Sequence, residues 1–304
     1  MNEFKKIIDT LNSLATEQVN EKSKNIDKLS SLEIAKIIND EDKIVADIVA
    51  SKLDIISQTA EKFAETLKNN GRIFYIGAGT SGRLGVLDSA ECPPTFGSDP
   101  KQIIGLISGG YETLILSKEG VEDDADAVIE DLQKHSLTKD DMVIGIAASR
   151  RTPYTLSGIQ YGHSIGCATA FIICNLWDKN DNDDYIDYLI ELPVGPEVIT
   201  GSTRMKSGTA QKMALNIIST TAMVLLGKTY GNRMVDLQAT SKKLSARSRK
   251  TLMEVLRITY EDADELLMSA DGSVKIALVM QMYHCDKNTA IKLLDNADGF
   301  ISNI

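Results

Sequence analysis

Between Leu32 and Leu67 the stretch LEIAKIINDEDKIVADIVASKLDIISQTAEKFAETL places apolar side chains at helical spacing, and residues 1–70 read as helical, with Asp40 or Asp42 a candidate cap. The pattern then changes. Short apolar runs at 72–76, 103–107, 142–147, 168–174 and 188–192 alternate with amphipathic stretches. Strands separated by helix-length segments predict βαβ units, and hence an α/β chain with a five-stranded parallel sheet and helices on both faces. After Pro193 the spacing turns helical again. SGTAQKMALNIISTTAMVLLGK predicts one long apolar helix with Gly208 near its start, and 233–304 predicts several shorter amphipathic helices broken at Asp271-Gly272. The apolar stripes in IALVMQMYHC and AIKLLD predict packing on the core or on a partner chain. The run Asn180-Asp181-Asn182-Asp183-Asp184 reads as a solvated loop.

A chain of 304 residues, 43% of them apolar, can bury a substantial core. Its formal net charge of -10 argues against nucleic acid or an anionic membrane as the main partner, since both need a positive footprint. A small anionic substrate is still compatible, because a pocket can be locally basic. The four cysteines form no C-x-x-C pair and there are only three histidines, a composition that predicts neither a zinc site nor a disulfide framework. The N-terminus MNEFKKIIDTLNSL is too polar for a signal peptide, and no apolar run approaches the roughly 18 residues of a membrane span. The expectation is a soluble cytoplasmic protein without metal.

Residues 71–97 hold the densest motif. The apolar run Ile73-Phe74-Tyr75-Ile76 leads into Gly77-Ala78-Gly79-Thr80-Ser81-Gly82, which matches the dinucleotide fingerprint G-x-G-x-x-G. A dinucleotide fold also needs a second strand ending in an acid about 20 residues on. That interval instead holds Cys92-Pro93-Pro94, and the next strand ends in Ser108-Gly109-Gly110. What remains is strand, glycine-rich turn and helix, which turns backbone N–H groups toward an anion. Thr80 and Ser81 add hydroxyl donors suited to one terminal phosphate. A second loop repeats the design, with Ser149, Arg150, Arg151 and Thr152 ahead of Pro153 in a helical first turn. Two such loops at the C-terminal ends of parallel strands are expected to converge on one crevice; taken singly, each also reads as a helix cap.

Two carboxylates stand out. Glu91 falls at the end of the short helix expected after the first loop, where the proline pair fixes the chain direction. Glu122 opens the helix expected after the second strand, a position where acids are also simple dipole partners. Together they would suit general acid and base work. The segment from Gly195 to Thr209 is dense in glycines, hydroxyls and cations. It reads either as a capped helix or as a grip on phosphate or carboxylate through Arg204 and Lys206, with Glu197 beside them.

SLEIAKIINDEDK, YIGAGTSGRLGVLDSAECPPTFG, the EGVED segment, GIAAS with RTPY, and GPEVITGSTRMKSGTAQKMALN stand in an order that resembles the N-acetylmuramic acid 6-phosphate etherases. These belong to the sugar isomerase (SIS) superfamily, which also holds the glucokinase regulatory protein. The resemblance runs from about residue 25 to the C-terminus. It implies a three-layer SIS sandwich flanked by N-terminal helices and a C-terminal helical subdomain, with domains at 1–62, 63–226 and 227–304. It also implies a cytoplasmic homodimer, its active site near the subunit interface, that eliminates D-lactate from the sugar phosphate and hydrates the product, with no cofactor. Glu91 falls at the family's proton donor and Glu122 at its second catalytic carboxylate. Thr80, Ser81, Ser149 and Thr152 match the superfamily's phosphate loops, while Glu197, Arg204 and Lys206 are further substrate-binding candidates, the two cations for the lactyl carboxylate. One position departs from the pattern: where the family has glycine after Ser149, this chain has Arg150. An arginine there could distort the loop, crowd the pocket or add a phosphate contact. A sugar-phosphate-binding regulator without chemistry and an aldose–ketose isomerase are the alternative functions on the same fold.

Overall fold

Helix α1 (Ser31–Ala50) starts at Ser30, not at Asp40 or Asp42. A cap must precede the helix, and Ser30 with Glu33 forms a reciprocal box in which the Ser30 side chain accepts from the Glu33 amide and Glu33 accepts the Ser30 N–H at 2.8 Å. Asp40 lies well inside α1 and binds Lys43 at 2.7 Å. Before α1, residues 11–13 are helical as expected, but the chain from there to α1 departs from the helical expectation, folding into single 3-10 turns at Ala15–Glu17, Glu21–Ser23 and Ile26–Lys28. Helix α2 (Leu53–Lys68) follows. The computed structural model describes residues 11–177, 184–237 and 241–304, with Lys5 and Ile8. Asn180 to Asp183 of the acidic run lie outside the described residues.

Two compact units emerge, one of residues 1–88 and 103–218, the other of residues 89–102 and 219–304. The first is built on β1 (Ile73–Gly77), β2 (Ile103–Ile107), β3 (Met142–Ala147), β4 (Ala168–Ile173) and β5 (Tyr188–Glu191), all parallel, in the order β2-β1-β3-β4-β5. Every residue of β1 and β3 is buried, which is why both read as unbroken apolar runs with no alternation. Helices α3 (Gly79–Phe96), α4 (Ala127–Lys134), α5 (Pro153–Ile165) and α6 (Lys206–Leu225) complete the elements that begin in this unit. Phe74, Ile76, Val143 and Phe171 pack with Val128, Leu132 and Ile159 in one core cluster. At the opposite ends of β1 and β3, the buried Asp141 carboxylate accepts the Arg72 amide at 2.8 Å, the Arg72 guanidinium at 2.7 Å and the Thr138 amide at 2.8 Å. Burial works against its ionisation, but these donors outweigh it and hold its pKa below the ordinary value.

Helix α3 does not end at Glu91, as the proline pair predicts. It continues through Pro93 and Pro94 to Phe96. The proline φ is helical, and so near the helix end the pair removes only the two N–H donors that would reach Ser89 and Ala90. The second unit otherwise holds a small hairpin, β6 (Thr229–Tyr230) with β7 (Arg233–Met234), and helices α7 (Lys242–Leu256), α8 (Tyr260–Ser269), α9 (Val274–Met282) and α10 (Lys287–Asn296). Asp271 and Gly272, with φ of 51° and 82°, break the chain between α8 and α9, as the sequence predicts. The apolar stripes of α9 and α10 meet those of α7 and α8 in a cluster that includes Leu252, Leu267, Leu278 and Leu294. All four cysteines are free thiols, and no described helix is long and apolar enough to cross a membrane.

Glu41 is the polar anchor of the first unit. Only 3% exposed, it accepts from Asn20 Nδ2 at 2.8 Å, Lys22 Nζ at 2.8 Å and Lys206 Nζ at 2.5 Å, tying α1 to the N-terminal turns and to the start of α6. Burial opposes its ionisation, yet the hydrogen bonds from Lys206, Lys22 and Asn20 lower its pKa to about 2. A carboxylate depressed in the folded state stabilises it above its unfolded value, and that contribution drains away as pH falls toward the folded one. Glu41→Gln is therefore expected to cost about 3–5 kcal/mol at neutral pH by stranding the Lys206 ammonium. Denaturant titrations should show the gap from wild type constant above pH 4.5 and shrinking between pH 4.5 and about 2.

Candidate active site

The parallel register sets Gly77 of β1 level with Ile146 of β3, so the loops that follow the two strands leave the sheet side by side. In this strand order they flank the point where the connections diverge, the usual ligand crevice of an open α/β sheet. The first loop needs two glycines for different reasons. Gly79 has φ +53°, the left-handed region, while a Cβ on Gly82 would lie 2.5 Å from the Gly77 carbonyl oxygen. Thr80 and Ser81 then occupy the first turn of α3. The Ser81 hydroxyl is buried and bonds Gln211 Oε1 of α6 at 2.9 Å.

In the second loop Thr152 is extended and Pro153 takes the first position of α5, as predicted. The Ser149 and Thr152 hydroxyl oxygens lie 3.4 Å apart, and the Arg151 amide donates to Ser149 Oγ at 3.3 Å. Thr80, Ser81, Ser149 and Thr152 line one cavity of about 250 Å³. Arg150 shows neither the left-handed backbone of a distorted loop nor an entry into the cavity. Its guanidinium donates to the Leu176 carbonyl at 3.2 Å.

Glu122 lines the same cavity. It sits in a 3-10 turn, Val121–Asp123, ahead of α4, and not in the first turn of that helix as the sequence predicts. The turn is held from below: the buried Ser108 hydroxyl, just past β2, donates to the Val121 carbonyl at 2.6 Å. Arg83 of α3 binds the Leu114 carbonyl at 3.2 Å, the Thr113 carbonyl and Ser117 Oγ, ordering the segment that leads there. Partial burial raises the Glu122 pKa, and the charges of Asp123 and Glu119 add to it. A smaller cavity of about 90 Å³, lined by Arg83, Lys118 and Glu119 among others, also touches Glu122.

The 195–209 segment does not supply the expected cations. Lys206 is 1% exposed with its ammonium on Glu41, a partner 165 residues away in sequence. Glu197, wholly buried, caps α6 by accepting the Lys206 and Ser207 amides at 3.1 and 3.0 Å. Arg204 is exposed and does not line the cavity; from this segment Gly201 and Thr203 do. Glu91 belongs to the second unit, where it is exposed beside the buried Cys92.

One lining residue has no precedent in the sequence reading: Glu17, from the first 3-10 turn. A lone glutamate in the polar stretch TEQVNEKSKN carries no periodic or spacing signal. Among the described residues no three His, Cys, Asp or Glu side chains cluster as metal ligands.

A family described as the glucokinase regulatory protein N-terminal SIS domain matches residues 55–163. Full-length relatives are more informative. The N-acetylmuramic acid 6-phosphate etherase of Geobacillus thermodenitrificans is 46% identical over 291 residues, covering 96% of this chain and 98% of its own. That of Clostridium beijerinckii is 47% identical over 292 residues, covering 96% and 95%. That of Rhodopirellula baltica is 44% identical over 299 residues, 98% of both chains. With a parallel SIS sheet, paired hydroxyl loops and this likeness along its whole length, the chain belongs to the N-acetylmuramic acid 6-phosphate etherase family.

Proposed function

We propose that the protein cleaves the lactyl ether of N-acetylmuramic acid 6-phosphate, releasing D-lactate and N-acetylglucosamine 6-phosphate in the recycling of cell-wall amino sugars. The observation that carries this reading is the gathering of Thr80, Ser81, Ser149 and Thr152 with Glu122 around one cavity. Two helix starts and four hydroxyls bind the 6-phosphate without a cation, through N–H and O–H donors aided by the helix dipoles. The phosphate thereby fixes the sugar relative to Glu122.

In the ring-opened sugar the C2 proton is acidic because the C1 aldehyde takes up the charge left behind. Glu122 removes it, and a raised pKa makes it a stronger base than an ordinary carboxylate. The C3 ether oxygen then leaves. An alkoxide is a poor leaving group, so a proton must reach it, and Glu91 supplies that proton. Water adds to the unsaturated aldehyde at C3, with the deprotonated Glu91 taking its proton, Glu122 returns to C2 the proton it removed, and ring closure gives the product. The steps are redox-neutral and are carried by acid–base groups alone. We further propose that the protein works as a cytoplasmic homodimer with the site near the subunit interface; sedimentation velocity tests the dimer.

The two carboxylates have separable readouts. Glu122→Gln should abolish exchange of the C2 proton with deuterated solvent together with lactate release, each by about 10²–10⁴-fold. Glu91→Gln should lose lactate release by a similar factor and retain C2 exchange. Normal lactate release by a folded Glu91→Gln protein refutes the acid role; a wild-type protein that binds the muramic acid phosphate without releasing lactate is a regulator or isomerase instead.

The charges facing Glu122 set a pH dependence. Asp123 and Glu119 both disfavour its ionised form, the form that abstracts a proton. Glu119→Gln removes one of them, lowers the Glu122 pKa, and should move the acid limb of kcat/KM to lower pH. An acid limb that stays in place assigns it to another group.

A further inference from the structure

We propose that Glu17 contacts the sugar hydroxyls of the substrate, and so makes the cavity select a hydroxylated sugar phosphate over bare phosphate. The inference rests on the reading of this cavity as the phosphate site and adds a residue to it.

Glu17 is held at the cavity by a built clamp. Next to it, the wholly buried Thr16 donates its amide to Asn175 Oδ1 at 3.4 Å, and Asn175 Nδ2 donates to Thr16 Oγ1 and to the Ala148 carbonyl, each at 3.0 Å. Asn175 is itself 2% exposed, so a buried amide joins the N-terminal turn to the residue just before Ser149. Beyond Glu17, Asn20 Nδ2 reaches the Pro196 carbonyl at 3.2 Å and Ser23 Oγ the Val198 carbonyl at 2.7 Å. Buried polar groups are costly unless fully paired, and here the pairing fixes one turn against the site loops. The space in front of Glu17 is kept open as well: a Cβ on Gly201, whose φ is +76°, would lie 3.2 Å from Glu17 Oε2.

The chemistry of the position indicates what it takes. The Glu17 amide donates to the Leu14 carbonyl at 3.1 Å, while its carboxylate makes no hydrogen bond or ion pair among the described residues. A carboxylate only accepts hydrogen bonds and repels a second anion, so it cannot hold the phosphate. The hydroxyls and amides of the two loops satisfy the phosphate. The remaining donors brought by a sugar phosphate are its hydroxyl groups, and a carboxylate accepts from those strongly.

The consequence is a change of opposite sign for two ligands. Calorimetry would measure inorganic phosphate and N-acetylglucosamine 6-phosphate binding to the full-length wild type and to Glu17→Gln, Glu17→Asp and Ser149→Ala. Losing the charge in Glu17→Gln should weaken the sugar phosphate about 10-fold and tighten inorganic phosphate. Glu17→Asp keeps the charge but withdraws it by one methylene, so it should weaken the sugar phosphate and leave inorganic phosphate unchanged. The clamp uses Thr16 and Asn175, not the Glu17 side chain, so these variants should melt with wild type. If Glu17→Gln does not fold, Glu17→Asp decides alone. If Glu17→Gln moves both ligands in the same direction, or Glu17→Asp leaves the sugar phosphate unaffected, the inference is overturned. Ser149→Ala should weaken both ligands; if it weakens neither, it is the phosphate-site reading that fails.

Discussion

The site depends first on the parallel register that sets Gly77 between Ile107 and Ile146. Parallel strands point their C-terminal ends one way, so the helices that return from β1 and β3 start at one edge, with their free N–H groups turned to the same space. Any side chain on Gly82 would push α3 off the end of β1, since the Gly77 carbonyl already occupies that volume. The strand ends are trimmed from below in the same spirit. Arg72 and Asp141 join the start of β1 to the start of β3, so neither strand can slide along the other without stripping the buried Asp141 carboxylate of its half-buried partner.

A second constraint is electrostatic. Three cations close to the site in sequence are occupied elsewhere: Lys206 by Glu41, Arg83 by the Thr113 and Leu114 carbonyls, Arg150 by the Leu176 carbonyl. Had one of them entered the cavity of about 250 Å³, it would have paired with Glu122 or Glu17 and lowered the basicity of the former. On the function proposed above, binding the phosphate through neutral donors would leave the carboxylates unpaired. The same logic explains why Glu122 keeps acidic neighbours, Asp123 and Glu119, where a salt bridge would be the ordinary arrangement.

The fold was legible because its signals are local. Buried parallel strands read as apolar runs, and all five were placed to within a residue; Pro153 announced the start of α5. The gathering of Thr80, Ser81, Ser149 and Thr152 on one cavity was legible for the same reason, since strand-loop-helix geometry is written in adjacent residues. What was hidden is long-range. Nothing near Lys206 distinguishes a ligand-binding lysine from one that will meet Glu41 across 165 positions, and nothing near Glu197 marks it as a buried cap rather than a substrate contact. Asp40 lost to Ser30 because capping depends on where the helix begins, which a periodic pattern leaves open. Glu17 was invisible because its placement is decided by Asn175, on the far side of the sheet sequence.

Net charge then bears on how this chemistry is reached. A chain of formal charge -10 repels an anionic sugar phosphate at long range, so the field of the whole molecule gives no steering toward the site. Affinity has to come from contacts shorter than the screening length of about 8 Å at physiological ionic strength. Hydroxyls and helix N–H groups act at that range and lose little to salt, whereas an exposed cation such as Arg204 would act mostly through the screened field. An acidic protein with a phosphate site is therefore self-consistent when its donors are neutral, oriented and held by backbone geometry. The repulsion it retains also falls on any small anion without hydroxyl groups to offer, which is the discrimination a carboxylate at position 17 would sharpen.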